Sequence, residues 1–183
     1  MILPITQYGD PILRKKCPVI ADPGSVPEQL VTDMLETMHD AHGVGLAGPQ
    51  VGVDLRLAVV DVSHDPECVS YLRIDGEDVD LADLMPLAFI NPDFEGDGER
   101  ESLEEGCLSI HDIRAQVRRP GAIRGTLGLL DGRRIAIETD GLLARVIQHE
   151  TDHLNGVLFI DRLSTAAKVS LRGKLKRLRA GAS

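Results

Sequence analysis

Apolar residues recur three or four positions apart in two segments near the ends of the chain. In residues 27–42 this spacing predicts an amphipathic helix, for which Pro27 suits the first turn and Gly43 the stop. A basic amphipathic helix is predicted over about 165–179, although Gly173 weakens it by roughly 1 kcal/mol. Both segments therefore carry one apolar face that can pack on a core.

Shorter apolar runs predict strands. Residues 54–62 and 87–91 fit short strands, the second ending before Pro92, and residues 122–138 fit a hairpin that turns at Asp131 and Gly132. The acidic residues 64–86 have no clear period and are predicted as an inserted loop or hairpin. Short strands mixed with a few helices predict an α+β fold, with mixed or antiparallel sheets around a central helix.

A further helix, predicted over residues 141–155, carries the strongest local motif. Its residues Leu142, Val146, His149 and His153 share one face, because they are three or four positions apart. Two histidines four apart can bind one metal ion, and the intervening Glu150 can then exchange protons with bound water. On this motif alone, two ordinary histidines are an alternative.

Composition narrows the function classes. The 183 residues, 43% of them hydrophobic, suit a single domain over 1–183 with a sizeable core. A formal net charge of −9 and an aromatic content of 3% argue against a protein that coats DNA or anionic membrane. We find no membrane-length apolar run, signal peptide or disulfide framework, and we therefore expect a cytoplasmic protein. Seven basic residues and no acidic residue follow Asp161, and residues 165–183 are predicted as a basic helix and tail.

Two other segments contain candidate chemistry. Cys107 lies in EGCLS, where a thiolate could bind a metal ion, although most free cysteines are simply buried. Within the segment 43–50, residues 43–48 match GxGxxG, but a helix precedes the segment and a strand follows it, which excludes a dinucleotide site. They fit either a loop that lets backbone approach a substrate or a tight connection after a helix. Gln50 at its end could donate a hydrogen bond to an oxyanion.

Taken together, these segments resemble the bacterial-type peptide deformylases. GVGLAGPQ (43–50), EGCLS (105–109) and QHETDHL (148–154) occur in the order and approximate spacing of that family, and YGDPILR (8–14) and GVLF (156–159) are also similar to it. The resemblance covers nearly the whole chain. It implies a metal-dependent hydrolase that removes the formyl group from the N-terminal formylmethionine of nascent polypeptides and releases formate.

The resemblance also implies roles for individual residues. Cys107, His149 and His153 would hold one divalent metal ion, with Fe(II) favoured and Zn, Ni or Co also compatible. Glu150 would be the general base and then the acid, while Gln50 and the Leu108 N–H would stabilise the oxyanion. The residues implied in substrate binding are Val44, Gly45, Leu142, Val146 and Arg114.

The sequence departs from the family pattern at two positions. Gly48 replaces a usual Ala, which we expect to loosen the loop slightly, and His111 replaces a common Pro. Asp152 should point away from the metal and pair with a residue such as Arg119. Because such enzymes act on nascent chains, the basic helix is a candidate for transient contact with the ribosome, although a solvated polar face is an alternative.

Two other classes of protein remain open at this point. A metallopeptidase of the general HExxH type would share the metal helix but does not require the Cys107 and Gln50 segments. A degenerate relative that only binds a metal or a partner would lack a catalytic residue, and none is missing here.

Overall fold

A single twisted sheet forms the centre of the molecule, which a computed structural model describes over Met1–Gly181. Its seven strands are β1 (Gly45–Ala47), β2 (Leu57–Val60), β3 (Leu72–Ile74), β4 (Glu77–Asp78), β5 (Leu87–Cys107), β6 (Ile110–Gly128) and β7 (Arg134–Asp140). Neighbours follow the order β1-β2-β5-β6-β7-β3-β4, and every pair is antiparallel. Strand β1 therefore forms one edge of the sheet.

Four α-helices accompany the sheet: α1 (Glu28–Asp40), α2 (Leu81–Leu84), α3 (Gly141–Leu154) and α4 (Thr165–Gly181). The α+β prediction is confirmed, with one antiparallel sheet and α3 as the central helix. Within the described residues, no helix has the length and apolar character needed to cross a membrane.

Helix α3 is the best-buried helix, because it packs on β1, β2, β6 and β7. Its apolar side chains join a core cluster with residues of these strands; the members from α3 are Leu143, Ala144, Val146, Ile147 and Leu154. Burying each large side chain of this kind contributes about 1.5–3 kcal/mol. The helix is thereby fixed against the sheet, and its polar residues are held in place.

The prediction that the strand at 87–91 ends before Pro92 is wrong. Strand β5 runs from Leu87 to Cys107 and forms a long ladder with β6. Pro92 is tolerated because the register shifts between Ile90 and Asp93, where its missing N–H interrupts no regular pairing. The outer part of this hairpin is solvent-exposed and polar, so it lacks the apolar pattern that predicts strands.

The segment 64–86 contains a short hairpin of β3 and β4, which joins the sheet through β7, and the short helix α2.

In segment 43–50, the predicted loop contains strand β1, followed by a 3-10 turn at Gly48–Val51. Helix α4 covers the predicted 165–179 and packs through Leu171, Leu175 and Leu178 on a smaller core cluster. The last two residues of the predicted tail, 182 and 183, lie outside the described residues.

Candidate metal centre and active site

The end of strand β5 and the middle of helix α3 bring three metal-ligating side chains together. Cys107 is the last residue of β5, and His149 and His153 are one turn apart on α3. Their ligand atoms all lie within 4.8 Å of one another, and Cys107 Sγ lies 3.3 Å from His153 Nε2. The three residues expected from the sequence to be ligands are thus adjacent in space.

This donor set fits a divalent transition metal. One thiolate and two imidazoles are ligands of Zn(II) and Fe(II), and three protein ligands leave a fourth position for water. Next to them, Glu150 Oε2 is buried and has no hydrogen-bond partner among the described residues. A buried acceptor without a partner is costly, so an ion with water beside this carboxylate would satisfy it.

The protonation of the two histidines differs because their surroundings differ. Burial disfavours the charged form of His149, but hydrogen bonds with Cys107 and Glu105 outweigh it and raise its pKa well above the ordinary value of 6.5. Burial is the main cause that lowers the pKa of His153 well below that value, and the nearby charge of His149 lowers it further. His153 is therefore neutral and offers a lone pair.

Glu105, which the sequence analysis did not single out, orients His149. Its Oε2 lies 3.0 Å from His149 Nδ1, which leaves Nε2 to face the metal site. Arg119 Nε donates to Glu105 Oε1 at 2.6 Å, and Arg145 Nη1 donates to the same oxygen at 2.7 Å. The ladder of β5 and β6 shifts register between Glu105 and Cys107, so no regular alternation in the sequence could have revealed this role of Glu105.

Asp152 continues this buried network on the side of α3 away from the metal. Arg119 Nη1 donates to Asp152 Oδ2 at 2.8 Å, as the sequence analysis expected, and Arg162 binds the same carboxylate. Arg119 is only 2% exposed. One buried arginine therefore connects the carboxylate behind His149 to the C-terminal half of the metal helix.

Glu150 is 3% exposed, and burial raises the pKa of its carboxyl group from 4.5 to about 7. The carboxylate lies directly against strand β1, where a Cβ added at Gly45 would overlap Glu150 Oε1 and contact Val146. Only glycine leaves room for the carboxylate at this point. A group with a pKa near neutrality can both accept and return a proton.

Gln50 lies beside the predicted ligands with its amide fixed in orientation. The Ala47 N–H donates to Gln50 Oε1 at 2.8 Å, so Nε2 faces the site, where it contacts Ser109 Oγ at 3.2 Å and Cys107 Sγ at 3.5 Å. Leu108 follows Cys107 in the turn between β5 and β6, and its carbonyl accepts a hydrogen bond from Gln7. Ser109 belongs to the EGCLS segment but was given no role from the sequence, and Gln7 lies outside every quoted motif.

The expected substrate residues lie on two sides of this centre. Val44 and Leu142 are half-buried and pack, with Val146, on the cluster that also holds α3 to the sheet, which gives an apolar wall next to the histidines. Gly45 belongs to edge strand β1. Arg114 is exposed, lies over Gly106 and is 3.5 Å from Glu104, so it is at the rim.

Gly48 and His111, the two departures from the family pattern, lie in different environments. A Cβ at Gly48 would be 2.7 Å from the Leu55 carbonyl oxygen, so the structure has close backbone packing at this buried position. His111 is exposed, and its Nδ1 lies 2.9 Å from Gln7 Oε1. His111 is not part of the group of potential metal ligands in the described chain.

Comparisons with known proteins agree with this geometry. A family model described as polypeptide deformylase matches residues 2–169. The peptide deformylase of Cytophaga hutchinsonii is 43% identical over 183 residues, which cover 99% of this chain and 92% of that protein. The chain belongs to the peptide deformylase family.

Solved structures of the family share the fold. The crystal structure of the peptide deformylase from Thermus thermophilus matches with a TM-score of 0.81 at 34% identity and covers all of both chains. The Synechococcus elongatus peptide deformylase, solved in complex with actinonin, matches with a TM-score of 0.78 at 36% identity over 96% of this chain and 85% of that one. The family consists of metal-dependent hydrolases that remove the formyl group from the N-terminal formylmethionine of nascent peptides.

Proposed function

We propose that this chain deformylates nascent polypeptides at the centre formed by Cys107, His149, His153 and Glu150. One observation carries the proposal: a buried carboxylate without a partner adjoins three ligand atoms that lie within 4.8 Å of one another. If these side chains only packed in the core, the burial of a carboxylate oxygen without a hydrogen-bond partner would remain uncompensated. Hydrolysis, by contrast, requires a base next to a metal-bound water.

Cys107, His149 and His153 would hold one divalent ion, which we propose to be Fe(II). The thiolate and the two imidazoles also accept Zn, Ni or Co, so geometry supports the ion but family resemblance favours iron. When bound, the ion supplies Lewis acidity and lowers the pKa of water at its open position. Glu105 would keep His149 in the tautomer whose Nε2 faces that ion.

The residues of the chain then carry out proton transfer and charge stabilisation. Glu150 accepts a proton from water while the water oxygen attacks the formyl carbon. It later gives that proton to the amine nitrogen as the C–N bond breaks. Gln50 Nε2 and the Leu108 N–H would stabilise the oxyanion between these events. Formate and a free α-amino group result, so water is the only co-reactant.

Substrate would bind as an extra strand along the outer edge of β1. Gly45 would let the peptide backbone approach the Glu150 carboxylate, while Val44, Leu142 and Val146 would contact the methionine side chain. Arg114 at the rim would contact the peptide beyond the methionine.

Formate release tests this function. We would purify the protein anaerobically with Fe(II) and measure formate from a short formyl-Met peptide, with and without chelator. Rapid, chelator-sensitive release is expected, with no cleavage of internal peptide bonds. Absence of release from protein with one equivalent of metal would refute the proposal and favour a protein that only binds metal, while internal cleavage would favour a metallopeptidase.

We also propose that the chain, as one catalytic domain over residues 1–183, acts in the cytoplasm and contacts the ribosome transiently through α4. The helix has six basic residues: Lys168, Arg172, Lys174, Lys176, Arg177 and Arg179. Such a surface would bind ribosomal RNA with an affinity that falls as salt rises. Affinity for ribosomes that is independent of salt, or unchanged when 165–183 is deleted, would contradict the contact.

A further inference from the structure

A second cleft, of about 380 Å³, lies behind the metal helix, where α3 faces strands β5 and β6. Its α3 residues include Gln148, Thr151 and Asp152, which lie between or beside the metal ligands in sequence but face the other way. Nothing in the proposed hydrolysis uses this cleft.

The cleft is strongly basic in a chain with a formal net charge of −9. Two aspartates, Asp93 and Asp152, line it together with five arginines, which are Arg56, Arg100, Arg118, Arg119 and Arg162. This local excess of positive charge is surrounded by an acidic protein, and a concave surface concentrates such a field. The cleft should therefore attract anions.

The arginines differ in how far their charges are already paired. Arg119 and Arg162 bind Asp152, and Arg56 donates to the Leu154 carbonyl and to Asn155. Arg100 and Arg118 are both exposed, and within Met1–Gly181 neither forms an ion pair. Their guanidinium groups are thus available to a ligand.

The other lining groups specify the kind of anion. Thr151 Oγ1 is buried, lies on the cleft and has no hydrogen-bond partner among the described residues, so it can donate to a ligand oxygen. Planar guanidinium groups bind phosphate oxygens two at a time. Phe94, Pro92 and Pro120 add apolar walls, against which the sugar or base attached to a phosphate can pack.

We propose that this cleft binds the phosphate group of a ribonucleotide, with Arg100 and Arg118 as the principal ligands. The phosphate comes either from a free nucleotide or from the backbone of single-stranded RNA. Both sources present non-bridging phosphate oxygens to the same guanidinium groups, three from a free monoester and two from a backbone diester, so they differ in affinity and in salt dependence.

The test measures binding to the metal-loaded full chain by fluorescence anisotropy with a labelled oligouridine, in competition with UMP and inorganic phosphate. The cleft variant is R100E/R118E, and the matched control R73E/R133E reverses two exposed arginines outside the cleft. A third variant, K174E/K176E, reverses charge on α4. Formate release from a formyl-Met peptide is measured for all three, and we expect R100E/R118E to leave it unchanged.

We expect R100E/R118E to weaken oligouridine binding by about tenfold or more and to lower the slope of log affinity against log salt by about 1.4, or ~0.7 for each lost phosphate contact. The control should change neither. Displacement of oligouridine by UMP or phosphate, dependent on the same arginines, would assign the site to the free nucleotide. A persistent preference for oligouridine would assign it to RNA.

Three results would overturn the proposal: no binding of any of these ligands at low salt, equal affinities of R100E/R118E and the control, or a loss confined to K174E/K176E. Because Arg100 and Arg118 are exposed, their replacement should not unfold the protein, and a circular dichroism melt verifies this.

Discussion

Replacing Glu105 with Gln removes the charge at the centre of the buried network while keeping the shape of the side chain. Glu105 is 6% exposed and accepts hydrogen bonds from Arg119 at 2.6 Å and Arg145 at 2.7 Å, and it lies 3.0 Å from His149 Nδ1. The amide of Gln cannot accept all of these bonds. It would instead direct N–H groups at arginines that are themselves donors.

The expected cost follows from this burial. Breaking a buried ion pair by neutralising one partner destabilises a protein by about 3–5 kcal/mol. In a chain of this length, such a change lowers Tm by roughly 6–20 °C. Because Glu105 also fixes His149, we expect metal affinity to fall about 10–100-fold.

The effect should depend on pH in a defined direction. Burial pushes the pKa of Glu105 upward, but hydrogen bonds from His149 and Arg119 outweigh it and hold that pKa well below the ordinary value of 4.5. A carboxyl group whose pKa is lowered by folding contributes its full stabilisation above the pKa of the unfolded state. This contribution is lost as pH falls from that value through the lower pKa of the folded state. The difference between wild type and E105Q should therefore be largest near neutrality and shrink below about pH 4.

Urea unfolding at several pH values and a metal-competition titration measure the two effects. The neighbouring E104Q is the matched control, because Glu104 is exposed and its one ion pair within residues 1–181, with Arg114 at 3.5 Å, is exposed too. Its stability should stay within about 0.5 kcal/mol of wild type. If E105Q were as stable as E104Q and bound metal equally well, the buried network would have no role in holding the site.

Four further variants test the centre. E150A should abolish formate release while metal analysis still finds bound ion, because we propose Glu150 as the base and not as a ligand. In metal-free protein, E150Q should be more stable than wild type by up to ~3 kcal/mol at pH 8, measured by urea unfolding, because folding raises the pKa of Glu150 from 4.5 to about 7; this gain should vanish near pH 4. C107S should retain less metal after dialysis against chelator. G45A should lower kcat/KM about 100-fold, because its methyl group displaces the Glu150 carboxylate; unchanged kinetics would contradict the close approach.

The proximity of the two histidines could be predicted from the sequence, because it follows from their spacing along one helix. His149 and His153 share a helix face by spacing alone, and that face also contains Leu142 and Val146. The contribution of Cys107 depends on a pairing of distant segments, and only family resemblance supplied it before the structure. The buried partners Glu105 and Arg145 escaped prediction, because 40 positions separate them and no periodicity relates a strand to a helix.

The fold class was predicted from the sequence, but some of its strands were not. The core strands β2 and β7 have apolar runs that identify them, whereas residues 95–104 of β5 are all exposed and their hydrogen bonds come from pairing with β6. Exposed strands can have any polar composition, and their strand state depends on a partner far along the chain. Strand β1 was not predicted, because it consists of only three residues between a helix and a 3-10 turn.

The shortness of β1 has a consequence for self-association. An exposed sheet edge can pair with another copy of the same protein and start aggregation. Here the edge offers three residues, Gly45–Ala47, all buried, and Pro49 follows in a turn that cannot extend the ladder. An edge of this length would admit the thin, extended end of an unfolded chain and exclude the strand of a folded neighbour, so we expect the same feature to limit self-association and to favour free chain ends as substrates.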